Sequence, residues 1–312
     1  MHILITGGAG FLGQRLAHKL LQDPALKSLT LADITPPQTP IDPRVTLTQA
    51  DLTDPQTAKT LIRPGLTAIY HLAAVVSSQA EADFDLGMAV NCDGTRHLLE
   101  AIRHQSPGTR FIFASSLAVF GGNLPTVLSD DTAVRPQSSY GTQKAICELW
   151  VNDYSRRGFI DGRVLRLPTV CVRPGKPNAA ASSFASSLIR EPLNGETAIC
   201  PVDPDLKLWL SSPTAVTDNL ARALAIHANR FGHTRTVNLP GITVSIQEMT
   251  AALERVAGSA AAQKIRYEPD QAISKIVESW PSEFVVDRAA KMGFVGDRTF
   301  DDIIQTFISE QS

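Results

Sequence analysis

A tyrosine and a lysine one helical turn apart point most clearly to chemistry in this chain. Tyr140 and Lys144 are four positions apart, so they share one face of a predicted helix. A tyrosine hydroxyl is ordinarily a poor base, with a pKa of about 10, but a neighbouring ammonium stabilises its phenolate form. Ser116, which lies upstream, could hydrogen-bond the substrate oxygen that Tyr140 deprotonates. The three residues predict proton transfer at a substrate hydroxyl; the alternative is that Tyr140 packs in a core and Lys144 is a solvated charge.

A glycine-rich turn near the start of the chain predicts a phosphate-binding site. The turn has the pattern G-x-x-G-x-x-G, follows an apolar run at 3–5 and precedes a predicted helix at 14–21. The first glycine can take a tight turn, the second lets the backbone approach phosphates, and the third lets the helix lie close to the strand. The alternative is a tight turn without a ligand. The expected pyrophosphate-binding residues are Gly7, Gly10, Phe11, Leu12 and Gly13.

Residues at the ends of later predicted strands extend this site. Asp33 closes the second apolar run. A carboxylate there would accept hydrogen bonds from the adenosine ribose and repel the 2′-phosphate of NADP, which predicts NAD as the cofactor. The alternative is that Asp33 is a turn residue. Because ligands bind at the carboxyl ends of parallel strands, we expect further cofactor contacts after the third and fourth strands, from Asp51, Leu52, Leu72, Ala73 and Ala74.

Short apolar runs that alternate with stretches of helical period predict the elements that position these residues. Predicted strands cover 3–6, 29–32, 45–49, 68–72, 110–114, 164–167 and 236–239, and predicted helices cover 11–21, 55–62, 83–103, 139–156 and 217–229. This alternation favours an α/β fold with a doubly wound, Rossmann-like parallel sheet covered by helices on both faces. Prolines punctuate the chain after residue 167, so the chain is expected to leave the sheet there. We predict an NAD-binding domain at 1–172 and 214–240 and a smaller C-terminal substrate lobe at 173–213 and 241–312, with helices at 182–190 and 245–256.

Composition argues against several classes of partner. The chain has 312 residues, of which 43% are hydrophobic and 19% charged, with a net charge of −2. This balance predicts no nucleic-acid partner and no membrane partner, and no apolar run approaches the roughly 20 residues that cross a bilayer. The first predicted strand begins at His2, which predicts that no signal peptide is present. The scattered cysteines predict a reduced cytoplasm and no metal site; they are Cys92, Cys147, Cys171 and Cys200.

In their order and approximate spacing, these motifs resemble the extended short-chain dehydrogenase/reductase superfamily over essentially the whole chain. The segment Asn91-Cys92-Asp93-Gly94-Thr95 also fits this pattern. The resemblance implies that Ser116, Tyr140 and Lys144 carry out NAD-dependent redox chemistry and that Lys144 also holds the nicotinamide ribose. It further implies that Asn91 contacts the cofactor and that Pro168 lies beside the nicotinamide.

Two later segments resemble a narrower group within that superfamily. Residues 152–159 and 166–184 are similar to the D-erythronate dehydrogenase group, which oxidises the C2 hydroxyl of a four-carbon sugar acid with NAD, giving 2-dehydro-D-erythronate. Arg173, Lys176 and Arg190 follow the last motif strand, where a guanidinium could hold the substrate carboxylate bidentately. The alternative is that they are solvated charges. The residues expected to bind substrate are Ser116, Tyr140, Thr169, Arg173 and Arg190.

Two other functions stay open at this point. One is a nucleotide-sugar epimerase or dehydratase that keeps its NAD bound; the other is a non-catalytic dinucleotide-sensing protein. Relatives that act on nucleotide sugars commonly have tyrosine in place of Phe120 and an aromatic residue followed by asparagine at 167–169, so the chain departs from them on the substrate side. The sequence leaves open the chain length and stereochemistry of the sugar acid, the tolerance for NADP and the formation of a homodimer.

Overall fold

The computed structural model describes residues 1–36, 39–175 and 182–311, and the chain divides into two compact units. Unit 1 contains Met1–Ser116, Ser139–Arg166 and Thr217–Val237; unit 2 contains Leu117–Ser138, Leu167–Val216 and Asn238–Ser312. Residues 117–138, which the sequence-based division assigns to the NAD-binding domain, therefore fall in unit 2. There the rings of Phe120 and Phe284 lie 5.8 Å apart, and Leu128 forms a β-bridge with Phe284. These contacts join residues more than a hundred positions apart, so no local pattern reveals them.

Twelve strands are present in the described residues. They are β1 (His2–Thr6), β2 (Ser28–Asp33), β3 (Val45–Gln49), β4 (Ala68–His71), β5 (Arg110–Ser116), β6 (Asp161–Leu167), β7 (Thr169–Val170), β8 (Ala198–Cys200), β9 (Lys207–Ser211), β10 (Thr236–Asn238), β11 (Ile242–Ser245) and β12 (Ile265–Tyr267). Seven of them form one parallel sheet in the order β10-β6-β5-β4-β1-β2-β3.

The helices follow the strands in alternation over the first half of the chain. They are α1 (Phe11–Leu21), α2 (Pro55–Leu61), α3 (Ser77–Ala82), α4 (Phe84–Gly87), α5 (Gly94–Gln105), α6 (Ser139–Arg156), α7 (Ser183–Leu193), α8 (Pro213–Ala225), α9 (Ile246–Ala257), α10 (Ser259–Ala262), α11 (Gln271–Val277), α12 (Asp287–Lys291) and α13 (Phe300–Gln311). Short 3₁₀ turns cover Leu117–Val119 and Ala228–Phe231. Across the described ranges, no helix combines the length and the apolar composition that crossing a bilayer requires.

Strand β1 lies where the strand order of the large sheet reverses. Ile3 pairs with Leu29 of β2 on one side and with Ala68 of β4 on the other. Ile3, Leu4 and Ile5 are at most 1% exposed, as expected for a strand that is covered on both faces, and this burial explains the unbroken apolar run. The predicted doubly wound parallel sheet is confirmed. In such sheets ligands bind at the carboxyl ends of the strands next to this reversal.

A π-helical segment, Met88–Asp93, joins α4 to α5 within the stretch predicted as one helix at 83–103. Helix α4 begins after Asp83, whose side chain accepts a hydrogen bond from the backbone N–H of Leu86 at 2.9 Å. π-Helical segments are frequent at functional sites because they displace side chains from the regular helical positions. This one carries Asn91, a predicted cofactor residue.

Unit 2 has a hydrophobic core of its own, to which α7, α9 and α13 contribute the fully buried Leu188, Leu253 and Ile304. It contains a three-stranded sheet in the order β11-β9-β7 and the pair β12-β8. The helices predicted at 182–190 and 245–256 are present as α7 and α9, and Ser245 caps α9 by accepting a hydrogen bond from the N–H of Glu248. The sequence analysis missed β8, β9, β11 and β12, which are three to five residues long and lie outside the regular alternation of strands and helices.

Candidate active site

The glycine-rich turn closes tightly between β1 and α1. Gly7 has φ of +72°, and a Cβ there would lie 2.6 Å from the backbone nitrogen of Ala73, so only glycine fits. A Cβ on Gly13 would collide with the carbonyl oxygen of Gly7. Gly10 is the N-cap residue of α1. Because glycine has no side chain, it does not cap the first N–H groups of the helix. This is the backbone arrangement that holds a pyrophosphate.

Asp33 ties the end of β2 to this turn. Its Oδ2 accepts a hydrogen bond from the N–H of Ala9 at 2.9 Å, and its Oδ1 accepts one from the N–H of Thr35 at 3.3 Å. The carboxylate therefore helps to hold the turn in shape, a contact that sequence reasoning did not anticipate.

A cavity of about 440 Å³ lies at the carboxyl ends of β1 to β4, next to the reversal of strand order. Predicted cofactor residues that line it are Gly7, Gly10, Asp33, Asp51, Leu52, Leu72, Ala73 and Ala74. The sequence analysis missed other lining residues, among them Ile34, Val75, Gln79, Leu86 and Val90. These are mostly apolar residues whose types carry no chemical signal, so only the fold brings them to the cavity.

Asn91 is fully engaged by protein groups. Its Oδ1 accepts a hydrogen bond from the N–H of Val75 at 2.8 Å, while its Nδ2 donates to the carbonyl of Val75 at 3.0 Å and to Oε1 of Gln143 at 2.7 Å. The residue is 3% exposed. Asn91 thus fixes the cavity wall after β4 and joins it to α6, and its predicted direct contact with the cofactor stays a prediction.

His71, at the end of β4, is buried in the sheet beside the cavity. Its Nδ1 lies 2.6 Å from Oγ1 of Thr6, and its Nε2 lies 2.9 Å from Oγ1 of Thr95. The Thr95 hydroxyl donates its single hydrogen to the carbonyl of Asn91, so it accepts from Nε2–H of the histidine. Burial, together with the positive charge of Lys144, lowers the pKa of His71 to about 3. His71 is therefore neutral at physiological pH and accepts a hydrogen bond from Thr6.

Lys144 is the buried cation of the candidate active site. It is 3% exposed, and its Nζ donates a hydrogen bond to the carbonyl of Ala114 at 2.9 Å. The same nitrogen lies 4.6 Å from the ring centre of Phe113 and 5.6 Å from that of Tyr140, so two aromatic rings help to stabilise the charge. Burial lowers the pKa of Lys144 to about 8. The ammonium thus lies beside the proposed base and close to the end of β5, where Ser116 is the last residue.

The predicted substrate residues beyond 167 belong to unit 2. Pro168 is buried, and Thr169 pairs with Leu210 of β9. Arg190 is 6% exposed; it donates to Oε1 of Glu191 at 2.5 Å and to the carbonyl of Arg173 at 2.8 Å.

Through these bonds Arg190 holds the Arg173 backbone in place and pairs its own charge with Glu191. Lys176, which the sequence analysis grouped with these arginines, lies outside the described residues.

A family model described as the NAD dependent epimerase/dehydratase family matches residues 3–212. The chain belongs to this family. The predicted membership of the extended short-chain dehydrogenases/reductases and the predicted use of NAD are confirmed. The glycine cradle and the cavity beside it fit this cofactor, because the N-terminus of α1, which has no side-chain cap, opens directly after the cavity-lining Gly10.

Known proteins of the family resemble this chain along its full length. D-erythronate dehydrogenase from Cupriavidus necator is 52% identical over 319 aligned positions, covering 99% of this chain and 98% of the relative. D-erythronate dehydrogenase from Haemophilus influenzae is 50% identical over 99% of both chains. A solved structure of a nucleoside-diphosphate-sugar epimerase from Agrobacterium tumefaciens superimposes with a TM-score of 0.93 at 42% identity, covering 100% of this chain and 94% of that one. The prediction that this chain is an NAD-dependent dehydrogenase is confirmed.

Proposed function

We propose that this protein oxidises the C2 hydroxyl of D-erythronate with NAD⁺ and releases 2-dehydro-D-erythronate and NADH. The observation that carries the proposal is the buried ammonium of Lys144, held 2.9 Å from the carbonyl of Ala114 and 5.6 Å from the ring of Tyr140. The choice of D-erythronate is supported by relatives of that name at about 50% identity over nearly the whole chain.

The proton step uses three side chains of unit 1. Tyr140, as its phenolate, takes the proton of the C2 hydroxyl at Oη, and Ser116 donates a hydrogen bond to the same substrate oxygen. The Lys144 ammonium stabilises the phenolate electrostatically, and it does so strongly because it is buried. When bound, NAD⁺ supplies the two-electron acceptor for the alcohol carbon.

Cofactor binding is assigned to residues at the edge of the sheet. The N–H groups that open helix α1 at the end of the glycine turn would hold the pyrophosphate, and Asp33 would accept hydrogen bonds from the adenosine ribose. Phe11 and Leu12 open helix α1 directly after Gly10, so their N–H groups belong to this cradle. Lys144 would hold the nicotinamide ribose, and Pro168 would lie beside the nicotinamide.

Substrate binding in unit 2 is assigned to Thr169 and Arg173. A four-carbon sugar acid has few apolar atoms, so its affinity has to come from polar contacts and from a charge-assisted bond to its carboxylate. Arg173 is the preferred partner of that carboxylate, because it lies only four positions after Thr169.

A second candidate function is a nucleotide-sugar epimerase or dehydratase, favoured by the name of the Agrobacterium tumefaciens structure. Against it, Phe120 occupies the position where nucleotide-sugar enzymes commonly have tyrosine. Its ring is 1% exposed and packs edge-on against Phe284, so it offers no hydroxyl and no accessible surface to a substrate.

One assay separates these functions. Purified protein with NAD⁺ is offered D-erythronate, L-threonate, other aldonates of four to six carbons and, separately, nucleotide sugars. We expect NADH to accumulate with D-erythronate, and we expect no epimerised or dehydrated nucleotide sugar. Formation of a new nucleotide sugar without NADH release from any aldonate would contradict the proposal.

Cytoplasmic location and homodimer formation also stay proposals. The four cysteines are free and buried, which supports a reducing compartment. Leu149 on α6 is 65% exposed, a large apolar residue that a second copy of the chain could cover. Fractionation of the source cells tests the location, and analytical ultracentrifugation tests the dimer.

A further inference from the structure

Three buried polar residues lie next to the catalytic lysine without being part of the proton step. Glu148 is 5% exposed, Arg166 is 7% exposed and Ser115 is 2% exposed. Arg166 donates from Nε to Glu148 Oε1 at 2.9 Å and from Nη2 to Oε2 at 2.7 Å, which is a bidentate pair. Ser115 donates from Oγ to Glu148 Oε1 at 2.5 Å. Both oxygens of the buried carboxylate are therefore bonded.

A buried ion pair of this kind is poor evidence for a device that stabilises the fold. Removing two charges from water costs several kcal/mol per ion, and well-packed apolar residues often serve as well or better. The pair therefore calls for an explanation other than stability alone, and its position in the fold provides one.

The network joins the same two elements that carry the reacting groups. Tyr140, Lys144 and Glu148 follow one another at intervals of one helical turn on α6. On β5, the carbonyl of Ala114 accepts from Lys144, and the next residue, Ser115, donates to Glu148. Helix and strand are thus joined at two successive points, immediately before Ser116. Two points of attachment fix both the position and the rotation of the helix relative to the strand end.

Glu148 also acts on the charge of Lys144. Its carboxylate raises the pKa of Lys144, as Cys147 and Cys92 do to a larger extent, and all three oppose the still larger lowering that burial causes. The positive charge of Arg166, which bonds to the same carboxylate, weakens this effect of Glu148 on the pKa of Lys144. The other titratable groups that face Lys144 are Tyr140 and Cys147 on α6, Cys92 in the π-helical segment and His71 on β4.

We propose that Glu148, held by Arg166 and Ser115, is a positioning residue that sets Lys144 and Ser116 at their distance and helps to keep the Lys144 ammonium charged at working pH. Its effect on turnover rests on the proposed dehydrogenase function, whereas its effect on Lys144 itself does not. If the ion pair were only structural, removing the charge of Glu148 would change the stability of the fold and leave the protonation of Lys144 unchanged.

The test uses Glu148→Gln, which keeps the shape of the side chain and removes its charge. We expect a lower kcat with D-erythronate, a smaller change in KM for NAD⁺, and an upper limb of the kcat–pH profile that moves to lower pH. A fall of about one pKa unit would reduce the protonated fraction of Lys144 about tenfold well above that pKa. The matched control is Glu100→Gln, which removes a carboxylate bonded to Arg103 and to Tyr154 of the same helix α6, away from Lys144. The control should keep the profile of the wild type.

A direct measurement of the pKa of Lys144 makes the test independent of the substrate. The protein is labelled with [¹³Cε]lysine, the Lys144 signal is assigned with Lys144→Met, and its pKa is measured by NMR in the wild type and in Glu148→Gln. A lower pKa in Glu148→Gln supports the proposal, and an unchanged pKa together with an unchanged kcat overturns it. If the wild type oxidises no aldonate, the proposed function fails while the titration still decides the role of Glu148.

Two further variants keep the test decisive if Glu148→Gln does not fold because Arg166 is left unpaired. Glu148→Leu/Arg166→Met removes both charges, and such replacements are commonly tolerated. Wild-type kcat and an unmoved pH profile in this double variant would overturn the proposal. Glu148→Asp keeps the charge but shortens the reach, so we expect a reduced kcat with an upper limb that stays at the wild-type pH.

Discussion

The ammonium of Lys144 donates a hydrogen bond to the backbone carbonyl of Ala114 at 2.9 Å. The bond connects one face of α6 to the end of β5, two residues before Ser116. It also holds the charge at a fixed place beside the ring of Tyr140. A local sequence pattern, Tyr-x-x-x-Lys, becomes a candidate active site through this contact.

The protonation of Lys144 should limit activity at high pH. Burial lowers its pKa to about 8, so the ammonium loses its proton as the pH rises through that value and no longer stabilises the Tyr140 phenolate. We expect kcat for D-erythronate oxidation to decline above about pH 8. The measurement is kcat at saturating substrate across the pH range in which the fold is intact. A rate that does not fall up to about pH 10, the ordinary range of lysine, would contradict this assignment.

Tyr140→Phe should lower kcat by at least about 100-fold while NAD⁺ binding persists, because the ring remains and the proton acceptor is lost. Steady-state kinetics measure the first effect, and titration of NADH fluorescence measures the second. Tyr154→Phe is the matched control, since Tyr154 lies on the same helix but bonds to Glu100. Wild-type turnover in Tyr140→Phe would show that another group takes the proton.

Asp33→Ser should narrow the preference for NAD over NADP, because the carboxylate that repels a 2′-phosphate is removed. The preference is measured as the ratio of kcat/KM for the two cofactors. Asp51→Ser serves as the control: its carboxylate bonds to Thr53 rather than to the glycine turn, so we expect both cofactors to be affected alike. Equal kcat/KM values of the wild-type protein for NAD and NADP would refute the role of Asp33.

His71 should make the fold sensitive to acid. Its pKa is about 3 in the folded protein, against an ordinary value of about 6.5. Between these values the unfolded chain binds a proton that the folded chain does not, so the free energy of unfolding falls as the pH is lowered below about 6.5, by up to about 1.4 kcal/mol per pH unit.

Urea unfolding at several pH values in this window checks this expectation for His71. His71→Gln, even if less stable at neutral pH, should show a shallower pH slope, whereas the control His233→Gln, at an exposed position, should keep the wild-type slope. Equal slopes in His71→Gln and the wild type would rule out this histidine as the source of the acid sensitivity.

The two arginines of unit 2 should behave differently. Arg173→Ala should raise KM for D-erythronate far more than KM for NAD⁺, because a carboxylate partner is lost. Arg190→Ala leaves the partly buried Glu191 without its partner, so it should also lower the free energy of unfolding, by about 1–3 kcal/mol. Kinetics and urea unfolding of both variants separate the two roles. Normal aldonate affinity in both variants would exclude a carboxylate clamp at these positions.

Several features of this protein follow from the sequence alone, because they depend on residues close together along the chain. The glycine turn, the alternation of β1 to β6 with helices, and the spacing of Tyr140 and Lys144 each occupy a short window with a clear period. The predicted sheet and the predicted cofactor are confirmed for this reason. The charge and type of Asp33 likewise predict NAD without knowledge of the contact to Ala9.

Other features were decided only by the tertiary structure, because they depend on partners distant in sequence. Asn91 bonds to Gln143 across more than fifty positions, and His71 is kept neutral by burial between two threonines. Arg190, which looks in the sequence like a free cation, is occupied by Glu191 and by the Arg173 backbone. A hydrogen bond or a desolvated charge depends on what surrounds the group in space. The sequence therefore determined which residues can do the chemistry, and the packing of the folded chain decided which charges are buried, which are paired and which remain to act.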